Sequence, residues 1–177
     1  VLLITYWLLI ARRIRGAING YAFQSVVIGV IVLATYAQSL RLHLLVLALS
    51  TFLIKGILIP IVLRRQVQAT VYDKRETHYY VGFPTALLIG MGLSIAGFVA
   101  ANRLDIVKDL VGQPVLGVAV AVILIGFFIT VARQDAVMQL TGLLVAENGL
   151  LVLGLVMSAG LGLLVDFALL MDVLVGA

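Results

Sequence analysis

Residues 42–63 read LHLLVLALSTFLIKGILIPIVL, and the reading of this stretch decides the fold. Its length matches the roughly 20 residues a helix needs to cross the hydrocarbon core of a bilayer. Lys55 stands thirteen residues from Leu42 and eight from Leu63. At about 1.5 Å per residue its ammonium lies well inside the hydrocarbon, too far from either end to snorkel easily into water. A cation at that depth is tolerated inside a bundle whose other helices supply a partner, not on a lone helix facing lipid.

Outward from it, the chain carries six further apolar runs, at about 1–11, 18–38, 82–101, 114–132, 137–158 and 162–177. Five of the seven reach membrane-spanning length. The first and last fall short and read as truncated helices rather than as a signal peptide and a tail. A signal peptide carries its positive charges before the apolar run, and here Arg12, Arg13 and Arg15 follow it. Backbone in lipid must satisfy its own hydrogen bonds, and no run alternates like a lumen-facing barrel strand, so helices are expected. The expected fold is all-α: a polytopic transmembrane helical bundle of about seven helices, forming a single integral membrane domain over residues 1–177.

Composition points the same way. Hydrophobic residues make up 63% of the chain and charged residues 11%, with a mean hydropathy of +1.22. A soluble domain has about 45–50% and about 25%. The 17 glycines are scattered through apolar runs, as suits packed membrane helices. With no cysteine, the chain forms no disulfide, thiolate zinc site or iron–sulfur cluster, and any redox chemistry must belong to partners. The net charge of +4 does not imply nucleic acid, because the basic residues fall in short connections where membrane orientation accounts for them.

Those connections set the orientation. Arg12, Arg13, Arg15, Arg64, Arg65, Lys74, Arg75 and Arg133 fall on one side, against Arg41, Arg103 and Lys108 on the other. The excess places the first side in the cytoplasm. The longest connection, about Gln66–Val81, reads as a cytoplasmic hairpin anchored by Tyr79 and Tyr80, or as a docking surface for a peripheral subunit. The outer connection around Asn102–Asp109 reads as a short amphipathic helix.

Three more ionisable groups sit where lipid disfavours them. Glu147, within Ala146-Glu147-Asn148-Gly149, lies about ten residues from each end of its run. Asp166 and Asp172 occupy the last run, and six residues of spacing turns them about 120° apart on a helix, so they need different partners. Each central charge costs about 2.5–3.5 kcal/mol on insertion scales, and three together on the order of 10 kcal/mol. Pairing Lys55 with Glu147 or Asp172 offsets that cost structurally, and a buried hydrated proton path offsets it functionally. The two readings are compatible, and Glu147, Lys55, Asp172 and Asp166 are the candidate proton-pathway residues. Their structural counterparts are a packing carboxyl, a permanent counter-charge and, for Asp166, a helix cap.

Gln24, Ser25, Ser50 and Thr51 read as interhelical hydrogen bonds, with Gln24 and Asn148 supporting the charged groups. Pro60 frees the carbonyl of Gly56 and marks a kink beside Lys55, a place for ordered water. His43 and His78 fall on opposite sides of the membrane, so no two-histidine metal or haem site is expected. Glycines 82, 90, 92 and 97 lack the strand–loop context of a phosphate cradle and read as close helix packing.

Taken in order, Gly20-Tyr21-Ala22 with Gln24-Ser25, Phe52-Leu53-Ile54-Lys55 continuing to Pro60, Glu147-Asn148-Gly149, and Asp166 with Asp172 resemble the hydrogenase-4 component E family. These are membrane subunits of group 4 nickel-iron hydrogenases and related complexes, and the resemblance runs from about residue 20 to 177. It implies a location in the prokaryotic cytoplasmic (inner) membrane. It also implies partners: antiporter-like membrane subunits, a connecting membrane subunit, and a hydrophilic redox arm that holds the nickel-iron centre and iron–sulfur clusters. This chain itself would hold no cofactor and no catalytic centre. The family is related to the K-type subunit of complex I and the C-type subunit of multisubunit sodium–proton antiporters, whose second helix carries a buried glutamate that Glu147 with Asn148 is similar to. Those small subunits have three helices where this chain has about seven. The expected function is a non-catalytic membrane-arm subunit of a proton-translocating complex. A stand-alone secondary transporter or channel, a K/C-type antiporter subunit, and a structural spacer whose charges fix register stand as alternatives.

Overall fold

The structure, a computed structural model, describes residues 1–39, 42–69, 81–104 and 112–158. The helices are α1 (Leu2–Ile10), α2 (Ile14–Ser39), α3 (Leu42–Ser50), a π-helical stretch (Thr51–Leu58), α4 (Ile59–Ala69), α5 (Phe83–Leu104), α6 (Gly112–Ala132) and α7 (Ala136–Ser158). Because α3, the π stretch and α4 run on end to end, the described residues hold six helical segments. Five are long and apolar enough to cross a membrane: Ile14–Thr35, Leu44–Val67, Phe83–Leu104, Gly112–Ala132 and Ala136–Met157. The seventh expected run, with Asp166 and Asp172, lies outside the described residues. So do His78 and most of the inner hairpin and outer connection.

Helices outrun the apolar stretches that announce them. α2 starts at Ile14 and takes in Arg15, and α4 carries Arg64 and Arg65 on to Ala69. Hydropathy marks only the part in hydrocarbon, whereas helical hydrogen bonding continues until a breaker intervenes, with long basic side chains reaching for the interface.

α2 is the hub, touching α1, α3, the π stretch, α4 and α7, while α6 lies between α5 and α7 and α1 rests on α2, α5 and α6. Small residues let backbones approach around α6. A Cβ on Gly97 would come within 2.7 Å of Ala121 N, and one on Gly126 within 2.5 Å of Ala146 N. The packing expected of glycines 82, 90, 92 and 97 holds at Gly97 and at Gly90, which abuts Leu9 and Tyr6. It fails at Gly92, which faces open space, and at Gly82, which meets only Pro84 next in its own turn.

The buried apolar residues form two clusters. One gathers Leu8, Ile18, Leu63, Ile125 and Met138, at the ends that carry Arg12–Arg15, Arg64 and Arg133. The other gathers Ile28, Val32, Leu44, Leu47 and Val152, towards the opposite ends. Between the clusters in sequence, each of the three helical rods concerned carries buried polar residues: Gln24 and Ser25, Thr51 and Lys55, Asn148.

The π stretch departs from the simple kink at Gly56 that Pro60 predicts. The N–H of Ile59 reaches back to Ile54 O, five residues earlier. Disruption at the proline is spread upstream as a widened turn, of the kind found inside α-helices at functional positions. Lys55 sits in that widened turn.

Candidate functional site

Lys55 Nζ lies 2.9 Å from Glu147 Oε1, with the lysine side chain 6% exposed and the glutamate 34%. Lys55 is midway along Leu44–Val67 and Glu147 midway along Ala136–Met157, so both charges occupy mid-span depth. Of the pairings open to Lys55, the structure makes the one with Glu147.

Glu147-Asn148-Gly149 serves three neighbours because successive helical residues point about 100° apart. Glu147 turns to Lys55 on the π stretch. Asn148 turns to α2, where its Nδ2 donates to Ser25 Oγ at 3.0 Å and approaches Gln24 Oε1 at 3.5 Å. Gly149 turns to α6, where a Cβ would fall 2.9 Å from Ile123 N. The glycine thus lets α7 press against α6 at the level where its acid meets the lysine.

The polar contacts continue past Asn148. Gln24 Nε2 donates to Thr5 Oγ1 at 2.9 Å, and Thr5 Oγ1 donates to Val1 O at 3.2 Å. Next to Thr5, the Tyr6 hydroxyl and Ser94 Oγ share a hydrogen bond of 2.7 Å, with Ser94 midway along its own span. One level of the bundle therefore carries polar groups from Lys55 and Glu147, through α7 and α2, to α1 and α5. Two atoms at this level, Thr51 Oγ1 and Asn148 Oδ1, are buried with no hydrogen-bond partner among the described residues. Ser50, expected to bond between helices, instead donates to Leu47 O in its own helix.

Chemically, the site is an acid–base pair in contact range with an adjoining run of hydroxyls and amides. Among the described residues no cluster of three histidine, cysteine or acidic side chains is placed to hold a metal ion. Asp166 and Asp172 lie outside the described residues. Thr5, Tyr6 and Ser94 carried no signal in the sequence beyond the need of Gln24 for a partner.

Arg133, in the connection between α6 and α7, also holds the end of α1. It is 1% exposed, and its Nη2 donates to Leu9 O at 3.0 Å and Ala11 O at 2.9 Å, with Leu8 O at 3.5 Å. A cation there satisfies the terminal carbonyls of α1 and opposes the negative end of its dipole. Arg133→Leu is expected to lower stability by about 2 kcal/mol, seen as a lower thermal midpoint in detergent. An unchanged midpoint would mean that α1 does not depend on this cap.

Fold and site together define a polytopic α-helical membrane protein organised around a mid-span ion pair. The chain is similar to a Mycobacterium tuberculosis (strain ATCC 25618 / H37Rv) protein named Uncharacterized protein Rv0085, with 26% identity over 163 residues, 92% of this chain and 74% of that protein. No family model and no solved structure matches it.

Proposed function

We propose that this chain is a non-catalytic membrane-arm subunit of a proton-translocating hydrogenase or complex I-like respiratory complex, contributing its buried charges to an ion pathway. The observation that carries this reading is the Lys55–Glu147 contact of 2.9 Å midway along two membrane-length helices. Intramembrane ionisable groups generally mark ion or proton routes, and this pair adjoins polar contacts that reach Thr5 on α1. The ordered motifs around Gln24, Lys55 and Glu147 supply the link to component E.

On this reading Glu147 and Lys55 exchange or polarise a proton, and Asp172, with Asp166, continues the path towards a neighbouring subunit. The arginine-bearing ends face the cytoplasm of a prokaryotic inner membrane. Antiporter-like subunits, a connecting membrane subunit and the hydrophilic arm are the partners, and the nickel-iron and iron–sulfur centres are theirs.

Extraction of the native protein in mild detergent, size separation and mass spectrometry of what co-migrates test the proposal. Hydrogenase and antiporter-like subunits in fixed ratio are the expected result. Recovery of this chain alone or only as a homo-oligomer would overturn the subunit reading in favour of a stand-alone transporter.

A further inference from the structure

The membrane-facing seam between α1 and α2 holds a groove of about 360 Å³ lined by Leu3, Ile4, Trp7, Asn19, Gly20 and Phe23. It opens outward rather than into the bundle, with Leu3 85% and Phe23 61% exposed. A Cβ on Gly20 would collide with the Trp7 ring, so this glycine lets the indole lie against α2 and shape the groove. Asn19 is its one polar lining residue.

At Asn19 the groove meets a cation. Arg64 Nη2 donates to Asn19 Oδ1 at 2.7 Å on the exposed surface. A guanidinium has five N–H donors, and the others on Arg64 take no partner among the described residues. Arg64 lies three residues from the end of Leu44–Val67, whereas Phe23 is one residue short of the middle of Ile14–Thr35. The four residues from Asn19 to Phe23 climb about 6 Å. The groove therefore runs from the arginine-bearing side of the span towards mid-span, apolar along its length and cationic at its mouth.

We propose that this seam is a binding site for one anionic phospholipid of the leaflet on the arginine-bearing side, its phosphate on Arg64 and an acyl chain along Trp7 and Phe23. Basic pockets between membrane helices suit such headgroups. Among the described residues no acidic side chain lines the groove, so charge favours an anionic over a zwitterionic lipid.

Trp7 is the only tryptophan of the chain, and it lies in the groove, so its fluorescence reports occupancy. The full chain is reconstituted with brominated phosphatidylglycerol or brominated phosphatidylcholine, and quenching is compared at equal mole fraction. Phosphatidylglycerol is expected to bind about fivefold more tightly. Arg64→Gln should abolish the preference while leaving quenching by phosphatidylcholine unchanged, and Arg65→Gln should leave the preference intact. Equal quenching by the two lipids, or equal loss in both variants, would overturn the proposal.

Discussion

Glu147→Gln is expected to leave the protein folded and assembled while cutting proton movement on the order of 10²-fold, the scale of a positioned acid–base group. The amide keeps the size of the carboxyl and can still accept a hydrogen bond from Lys55, but it cannot take up and release a proton at working pH. Breaking a fully buried ion pair costs about 3–5 kcal/mol. Here the loss falls below that range, because the amide oxygen still offers Lys55, 2.9 Å from the native carboxylate, a hydrogen-bond acceptor. In the complex proposed above, proton uptake by vesicles, driven by its electron donor, measures the effect. Undiminished uptake would remove Glu147 from any essential titrating role. Full activity in the double variant Lys55→Met with Glu147→Gln would show instead that the pair serves only subunit register.

Gly126→Leu should have the largest structural effect, a loss of about 3 kcal/mol at the upper end of the usual range for overpacking. The first added carbon would stand 2.5 Å from Ala146 N and 2.8 Å from Ala146 Cα, which is backbone that no rotamer change can move aside. α7 must then separate from α6 at the residue next to Glu147, so the ion pair loosens along with the packing. A lower thermal midpoint together with reduced proton uptake is the expected outcome. Gly92→Leu is the control: with nothing within 4 Å, it should leave both unchanged. Equal behaviour of the two variants would contradict the close α6–α7 contact.

The spans were legible because hydropathy depends only on what lipid excludes, and Lys55 and Glu147 stood out for the same reason. Their pairing was one of two options for Lys55, and sequence had no means of choosing between partners on separate helices. The π turn was hidden: Pro60 signals a fault in the ladder, but whether it becomes a bend or a wider turn depends on what packs against it. The partners of Arg133 were hidden, because only folding brings the end of α1 to its guanidinium. The same holds for Tyr6 and Ser94, eighty-eight residues apart. Among the glycines, Gly92 and Gly97 look alike in sequence and differ only in which face of α5 they occupy.

The position of the ion pair between two apolar clusters has an electrical consequence. Carrying one charge across the whole membrane at 100 mV involves about 2.3 kcal/mol of work. Lys55 and Glu147 each lie midway along their spans, so a proton passed between them moves parallel to the membrane surface, along a line of nearly constant potential. That step does almost no work against the voltage. Its rate should hold steady as the membrane is energised, and the voltage dependence of transport would arise where protons enter or leave this level.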